Sequence, residues 1–171
     1  MKKKPSVLVI LGSDSDLQVM EDCLKTLTKF DIEYSITVCS AHRTPDRAHK
    51  IAKSARKDGY ECIIAAAGMA AHLPGVVAAF TTLPVIGVPI MGKVLDGMDA
   101  MLSMTQMPPG IPVATVAVNG STNAAVLAAQ ILSVKYKDLQ KKMTEYKAEL
   151  AAKVDAKDAA LQEKLRSANN I

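Results

Sequence analysis

Val7-Leu8-Val9-Ile10-Leu11-Gly12-Ser13-Asp14-Ser15-Asp16 joins an uninterrupted apolar run to a turn of glycine, serines and aspartates. A run with no polar alternation suits a β-strand covered on both faces. Lys2-Lys3-Lys4 ahead of it give a superficial likeness to a signal peptide. The run is too short for that, and the polar turn follows at once, so it reads as a first strand. Gly12–Asp16 then opens a helix predicted to run to about Phe30, capped by Ser13 or Asp14. Val19, Cys23, Leu24 and Leu27 mark its inward face.

The same unit recurs outward from there. Strand two is predicted over Tyr34–Cys39, followed by a helix with Thr44 as N-cap, Pro45 in its first turn and an end near Gly59. Strand three is Cys62–Ala66, with a short helix ending near Phe80. Strand four is Pro84–Val88, with a helix over Asp99–Met107. Pro108, Pro109 and Pro112 force an extended turn before strand five, Val113–Val118, and a last helix, Asn123–Ser133. Five strand–helix repeats predict an α/β fold, a three-layer flavodoxin-like sandwich around a five-stranded parallel sheet. Residues 1–136 make one domain on this reading. From Lys137 the chain turns Lys/Glu/Ala-rich, with Leu139, Met143, Tyr146, Leu150, Val154, Leu161 and Leu165 in one stripe. Thirty such residues would form a helix of about 45 Å. The expectation for 137–171 is a helical extension packed on a neighbouring subunit; a solvated tail fraying after about Ala152 is the alternative.

Composition narrows the function classes. Of 171 residues, 49% are hydrophobic but only 4% aromatic, with no tryptophan, so the stacking platforms that single-stranded nucleic acid needs are missing. The net charge of +4 sits largely in Lys2-Lys3-Lys4 and the C-terminal segment, not in a stripe that would read a phosphate backbone. Three cysteines without CxxC spacing, each in an apolar pattern, read as buried thiols of a reducing cytoplasm. No run reaches membrane-spanning length. The expectation is a cytoplasmic protein with no nucleic-acid or membrane partner.

Chemistry concentrates at strand exits, where open α/β sheets bind ligands. Gly12–Asp16 offers helix N-terminal amides and two serine hydroxyls to an anion. Its two aspartates would repel a phosphate touching every residue, so one carboxylate caps the helix or accepts from sugar hydroxyls. Ser40-Ala41-His42-Arg43-Thr44-Pro45 sets a proton carrier beside a forked cation, or else is a plain surface pair. Gly68-Met69-Ala70-Ala71-His72-Leu73-Pro74-Gly75 places a second histidine in a loop that backbone can bring close to a ligand. His49, inside a helix, reads as structural or exposed. No ligand spacing indicates a metal, and no nucleophile elbow is present. What remains is proton transfer on a phosphorylated small molecule. A non-catalytic flavin- or nucleotide-binding module is the competing class, disfavoured by the scarce aromatics.

These motifs, with Gln106-Met107-Pro108-Pro109-Gly110-Ile111-Pro112-Val113 and Asn123-Ala124-Ala125, resemble the N5-carboxyaminoimidazole ribonucleotide mutases of purine biosynthesis over about residues 6–135. The resemblance implies a flavodoxin-like domain in a square-symmetric octamer. It implies transfer of a carboxylate from the exocyclic nitrogen of the aminoimidazole ring to carbon 4, with no cofactor and no metal. Residue by residue, it implies His42 as general acid/base and Ser13 and Asp16 as substrate contacts, Asp16 toward the ribose. Ser15, Ser40 and Arg43 become phosphate-side or positioning contacts, and Gly68 and His72 belong to the wall around the ring and transient CO2. Related carboxylases that use CO2 directly carry lysine in place of Arg43 and lack the His72-Leu73-Pro74-Gly75 sequence, so the resemblance is to the mutases. Ala66 and Met69 stand where glycines are frequent, and Gly92 where a serine is; Met69 would narrow the pocket or pack against a neighbour.

Overall fold

The computed structural model describes residues 4–168; Lys2 and Lys3 lie outside the described residues. The chain divides into two compact units, residues 1–132 and 133–171. In the first, β1 (Ser6–Leu11), β2 (Glu33–Val38), β3 (Cys62–Gly68), β4 (Val85–Ile90) and β5 (Ala114–Thr115) form one sheet in the order β2-β1-β3-β4-β5. Every neighbouring pair is parallel, with Val9 opposite Ile36 on one side and Ile64 on the other. Between the strands run α1 (Leu17–Lys29), α2 (Pro45–Ser54), α3 (Leu73–Phe80) and α4 (Met98–Thr105), and α5 (Ser121–Ser133) follows β5. The second unit carries α6 (Lys137–Ala168), one continuous helix.

Burial explains why the strands are apolar without alternation. Val7, Val9 and Leu11 point to one face of β1, and Leu8 and Ile10 to the other, yet none is more than 5% exposed. One core cluster joins Leu8, Ile10, Ile63 and Ala65 to Ala48 and Ala52 of α2, Val77 of α3, and Ala100 and Met104 of α4. In α1 the buried residues are Met20, Cys23 and Leu27, while Val19 and Leu24 are only partly covered, so the inward stripe is turned from the predicted one. All three cysteines are buried and free, and burial pushes the Cys23 and Cys62 thiols up to about 12. His49 is exposed and stacks a tilted ring on Phe80, with centroids 4.4 Å apart.

Four elements, α2, β3, β4 and β5, have boundaries that differ from the sequence reading for visible reasons. α2 is regular only to Ser54, whose hydroxyl turns to Ile51 O and Asp58 Oδ2; turns continue to Gly59, where a φ of 96° ends the segment. β3 and β4 extend to Gly68 and Ile90, two residues further than predicted in each case, and carry their exits to the same sheet edge. β5 shrinks to Ala114–Thr115. Val116 N still donates to Gly87 O, and Asn119 N to Pro89 O, but Pro89 has no N–H to return, so the ladder cannot continue. The Ala65-Ala66-Ala67 run of β3 keeps that strand slim. Gly12 N donates to Ala66 O at 2.8 Å, and a Cβ on Gly12 would stand 3.3 Å from both Ala66 O and Ala67 Cβ. Glycine at 12 therefore lets the first exit turn close over the third strand.

Candidate active site

The turn after β1 is a capping box. Ser13 Oγ accepts from Ser15 N at 3.4 Å, and Ser13 N donates to Asp16 Oδ2 at 3.0 Å. Ser15 Oγ donates to Ser13 Oγ at 2.8 Å, which in turn donates to Asp14 Oδ1 at 3.1 Å. Asp16 is 5% exposed. Burial raises its carboxyl above the usual 3.8, against the opposing pull of the Ser13 and Gly12 amides and the Ser15 hydroxyl. The tension between two aspartates and an anion is thus settled locally: Asp16 takes the Ser13 amide for itself.

The turn after β2 is built around Thr44. Thr44 holds the N-cap position of α2, but its hydroxyl does not cap the helix. It donates to Ser40 O at 2.8 Å and accepts from Ser40 N at 3.1 Å, while Thr44 N donates to Ser40 O at 2.9 Å. Ser40 Oγ accepts from Arg43 N at 3.2 Å. The loop is pinned at both ends, so the side chains of His42 and Arg43 project from a fixed bend.

The turn after β3 bends at Met69, a non-glycine residue with a φ of 55° and a side chain 67% exposed. His72 N donates to Ala70 O at 2.8 Å, and His72 O accepts from Val76 N at 2.9 Å as α3 begins. This brings the His72 ring edge-on to the His42 ring, with centroids 5.0 Å apart and planes at 83°. His42 Nε2 and His72 Nδ1 are 2.8 Å apart, a hydrogen bond between imidazoles. Such a bond needs one nitrogen protonated and the other bare, so each ring constrains the tautomer of the other.

One cavity of about 710 Å³ lies at these exits. Ser13, Ser15, Asp16, Ser40, His42, Arg43, Gly68 and His72 all line it, so every candidate from the sequence is brought together. Met91, Gly92, Lys93 and Val94, from the loop after β4, and Asp99 of α4 complete the wall. Sequence reasoning passed over this fourth wall; the signal was that β4 exits at the same edge as β1, β2 and β3. Among the described residues no group of three or more His, Cys, Asp or Glu is placed to hold a metal ion. The cavity sets hydroxyls, a buried carboxylate, a coupled imidazole pair and two fixed cations around a mostly apolar floor. That chemistry suits a small anionic molecule undergoing proton transfer.

Known proteins point the same way. A protein 52% identical over 161 residues, covering 94% of this chain and 91% of its own, is the N5-carboxyaminoimidazole ribonucleotide mutase of Pyrococcus horikoshii. A phosphoribosylaminoimidazole carboxylase of Candida glabrata is 54% identical over 144 residues, covering 84% of this chain and 25% of that longer protein. The crystal structure of Treponema denticola PurE superposes with a TM-score of 0.85 at 32% identity, over 92% of this chain and 99% of that one. The model of the family described as AIR carboxylase matches residues 6–153, a span that begins with β1 and holds every residue of the cavity, and the chain belongs to that family.

Proposed function

We propose that this chain is a mutase of de novo purine biosynthesis. It moves the carboxylate of N5-carboxyaminoimidazole ribonucleotide from N5 to C4, giving 4-carboxy-5-aminoimidazole ribonucleotide. The observation that carries this reading is the 2.8 Å bond between His42 Nε2 and His72 Nδ1 in a cavity that also holds Arg43. An isomerisation of this kind must return every proton it borrows. The carbamate N–C bond breaks, CO2 leaves, and N5 takes a proton from His42. Carbon 4 then bonds to CO2, and its own proton passes to His42, which ends as it began. His72 fixes the tautomer from which that exchange starts. Arg43, Ser13, Ser15 and Ser40 hold the anionic and hydroxyl groups, Asp16 faces the ribose, and the Gly68–His72 wall keeps CO2 beside the ring.

Direct carboxylation of aminoimidazole ribonucleotide is the second reading, favoured by the name of the Candida glabrata relative. Arg43 and His72-Leu73-Pro74-Gly75 favour the mutase. Two substrate mixtures separate them: freshly made carbamate, and aminoimidazole ribonucleotide with bicarbonate. The mutase turns over the first at low concentration and the second only at high bicarbonate. His42→Asn should keep its fold and lose about 10²–10⁴-fold in turnover. A near-full rate in that variant removes His42 from the mechanism.

The same proposal covers the setting of the enzyme: a cytoplasmic homo-octamer. Residues 1–136 form its catalytic domain, and 137–171 form an extension packed on a neighbouring subunit. The exposed Leu150, Val154, Leu161 and Leu165 of α6 support that packing. Among the described residues no helix is long and apolar enough to cross a membrane.

A further inference from the structure

Lys93 is the only lysine or arginine between Lys57 and Lys135. A long span of chain therefore carries a single fixed positive charge, and that residue lines the cavity. The loop that holds it is rooted at both ends. Met91 N donates to Asn119 Oδ1 at 2.9 Å, and Asn119 N returns to Pro89 O at 2.8 Å. At the far end Gly97 has a φ of 87°, and a Cβ there would lie 2.5 Å from Val118 Cγ1 and 3.2 Å from Met91 Cα. Only glycine allows that closure, so the tip from Gly92 to Asp96 is set by its base.

Arg43 and Lys93 are the two lysine or arginine residues on the cavity wall, one after β2 and one after β4. Among the described residues no hydrogen bond or ion pair engages the Lys93 ammonium or the Arg43 guanidinium. Carboxylates are present in the same cavity but are held elsewhere. Asp16 Oδ2 accepts from Ser13 N, and Asp99 Oδ1 accepts from Ala100 N at 2.9 Å. Two unneutralised cations on separate walls match a ligand with two separated anionic groups better than one with a single phosphate.

We propose that Lys93 is a substrate-binding residue that takes one of the two anionic groups of the substrate, a phosphate or a carboxylate, while Arg43 takes the other. This rests on the mutase reading, whose substrate carries both groups. On the phosphate, which does not change during the reaction, Lys93 acts on affinity alone; on the carboxylate, which passes through neutral CO2, it acts on the chemical step as well.

The test uses the full-length chain with Lys93→Met and Lys93→Arg. Losing one charge-assisted contact should raise KM about 10–100-fold, with kcat held within about threefold where the group is the phosphate, and Lys93→Arg should restore most of the affinity. Calorimetric titration with ribose 5-phosphate and with imidazole-4-carboxylate separates the two groups. Weaker binding of the first alone by Lys93→Met assigns the phosphate, and of the second alone the carboxylate. An unchanged KM, or the same Kd for both fragments in wild type and Lys93→Met, overturns the proposal. Failure of the wild type to convert the carbamate would instead count against the mutase reading, and the two titrations would still judge Lys93.

Discussion

Asp16 sits under tension between stability and function. Its carboxyl is raised above 3.8 chiefly by burial, so the native state holds the proton more tightly than the unfolded chain does. Its share of stability is whole below pH 3.8 and is lost as pH rises through the folded value. Asp16→Asn, which can still accept from Ser13 N, should therefore raise the thermal midpoint at pH 7. That gain should fade as pH falls below 3.8, and binding of ribose-bearing ligands should weaken throughout. Melting curves at pH 7 and pH 3.5 check the sign; a gain that persists at acid pH refutes the cause. That Ser13, Asp16, Ser40 and His42 would meet at one cavity was legible because each lies in a loop that follows a strand, where the chain must turn. The bond between His42 and His72 was not legible. The two residues lie far apart in sequence, and their contact depends on how the loops after β2 and β3 meet over β1, the strand between them. Lys93 was hidden for another reason: one lysine among Met91, Val94 and Leu95 reads as a surface residue until the loop is closed by Gly97 and Val118.

The loop after β2 behaves as an element in its own right, held by one threonine. Thr44→Val keeps the shape of the side chain but leaves Ser40 N without its acceptor and Ser40 O with one donor fewer. The expected loss is about 1–2 kcal/mol in urea unfolding with an unchanged slope, since each bond contributes roughly 0.5–1.5 kcal/mol. Turnover should fall more than stability because His42 loses its fixed bend, and Thr44→Ser should rescue both. A Thr44→Val variant of full activity would mean that the loop is held from elsewhere. Thr44 sits at the N-cap as read from the sequence, yet its hydroxyl does not cap the helix, since the competing acceptor, Ser40 O, becomes available only once the chain doubles back. β5 shows the same limit. Val113–Val118 has strand composition throughout, but strand length here is set by the neighbour, and Pro89 withholds the donor. Parallel pairing was legible because five repeats of strand and helix leave little other choice.

The unpartnered apolar surface of each unit bears on how whole molecules associate. In the first unit Tyr34, Ile36 and Val38 share one face of the edge strand β2 and are 37%, 41% and 42% exposed. In α6, Leu139, Leu150 and Leu161 recur every 11 residues, as do Met143, Val154 and Leu165. That period keeps the stripe on one face of a helix without left-handed supercoiling. Val154, Leu161 and Leu165 are 64%, 53% and 49% exposed, apolar surface that a second copy would cover. Light scattering should find the full chain as a multimer, and a chain ending at residue 149 as a smaller species. A monomer in both would end the subunit-packing proposal. The helix itself was legible from the stripe, and its regular run to Ala168 goes with the expected helical extension and against the alternative of a tail fraying after Ala152. The burial of Cys23, Cys39 and Cys62 opens a practical route to the same question. With every native thiol shielded, a cysteine placed at the exposed Ala152, outside the apolar stripe, would be the one site a maleimide dye reaches in the folded protein. Energy transfer between dyes on mixed chains would then measure how far apart neighbouring helices lie, with no native cysteine removed to make room for the label.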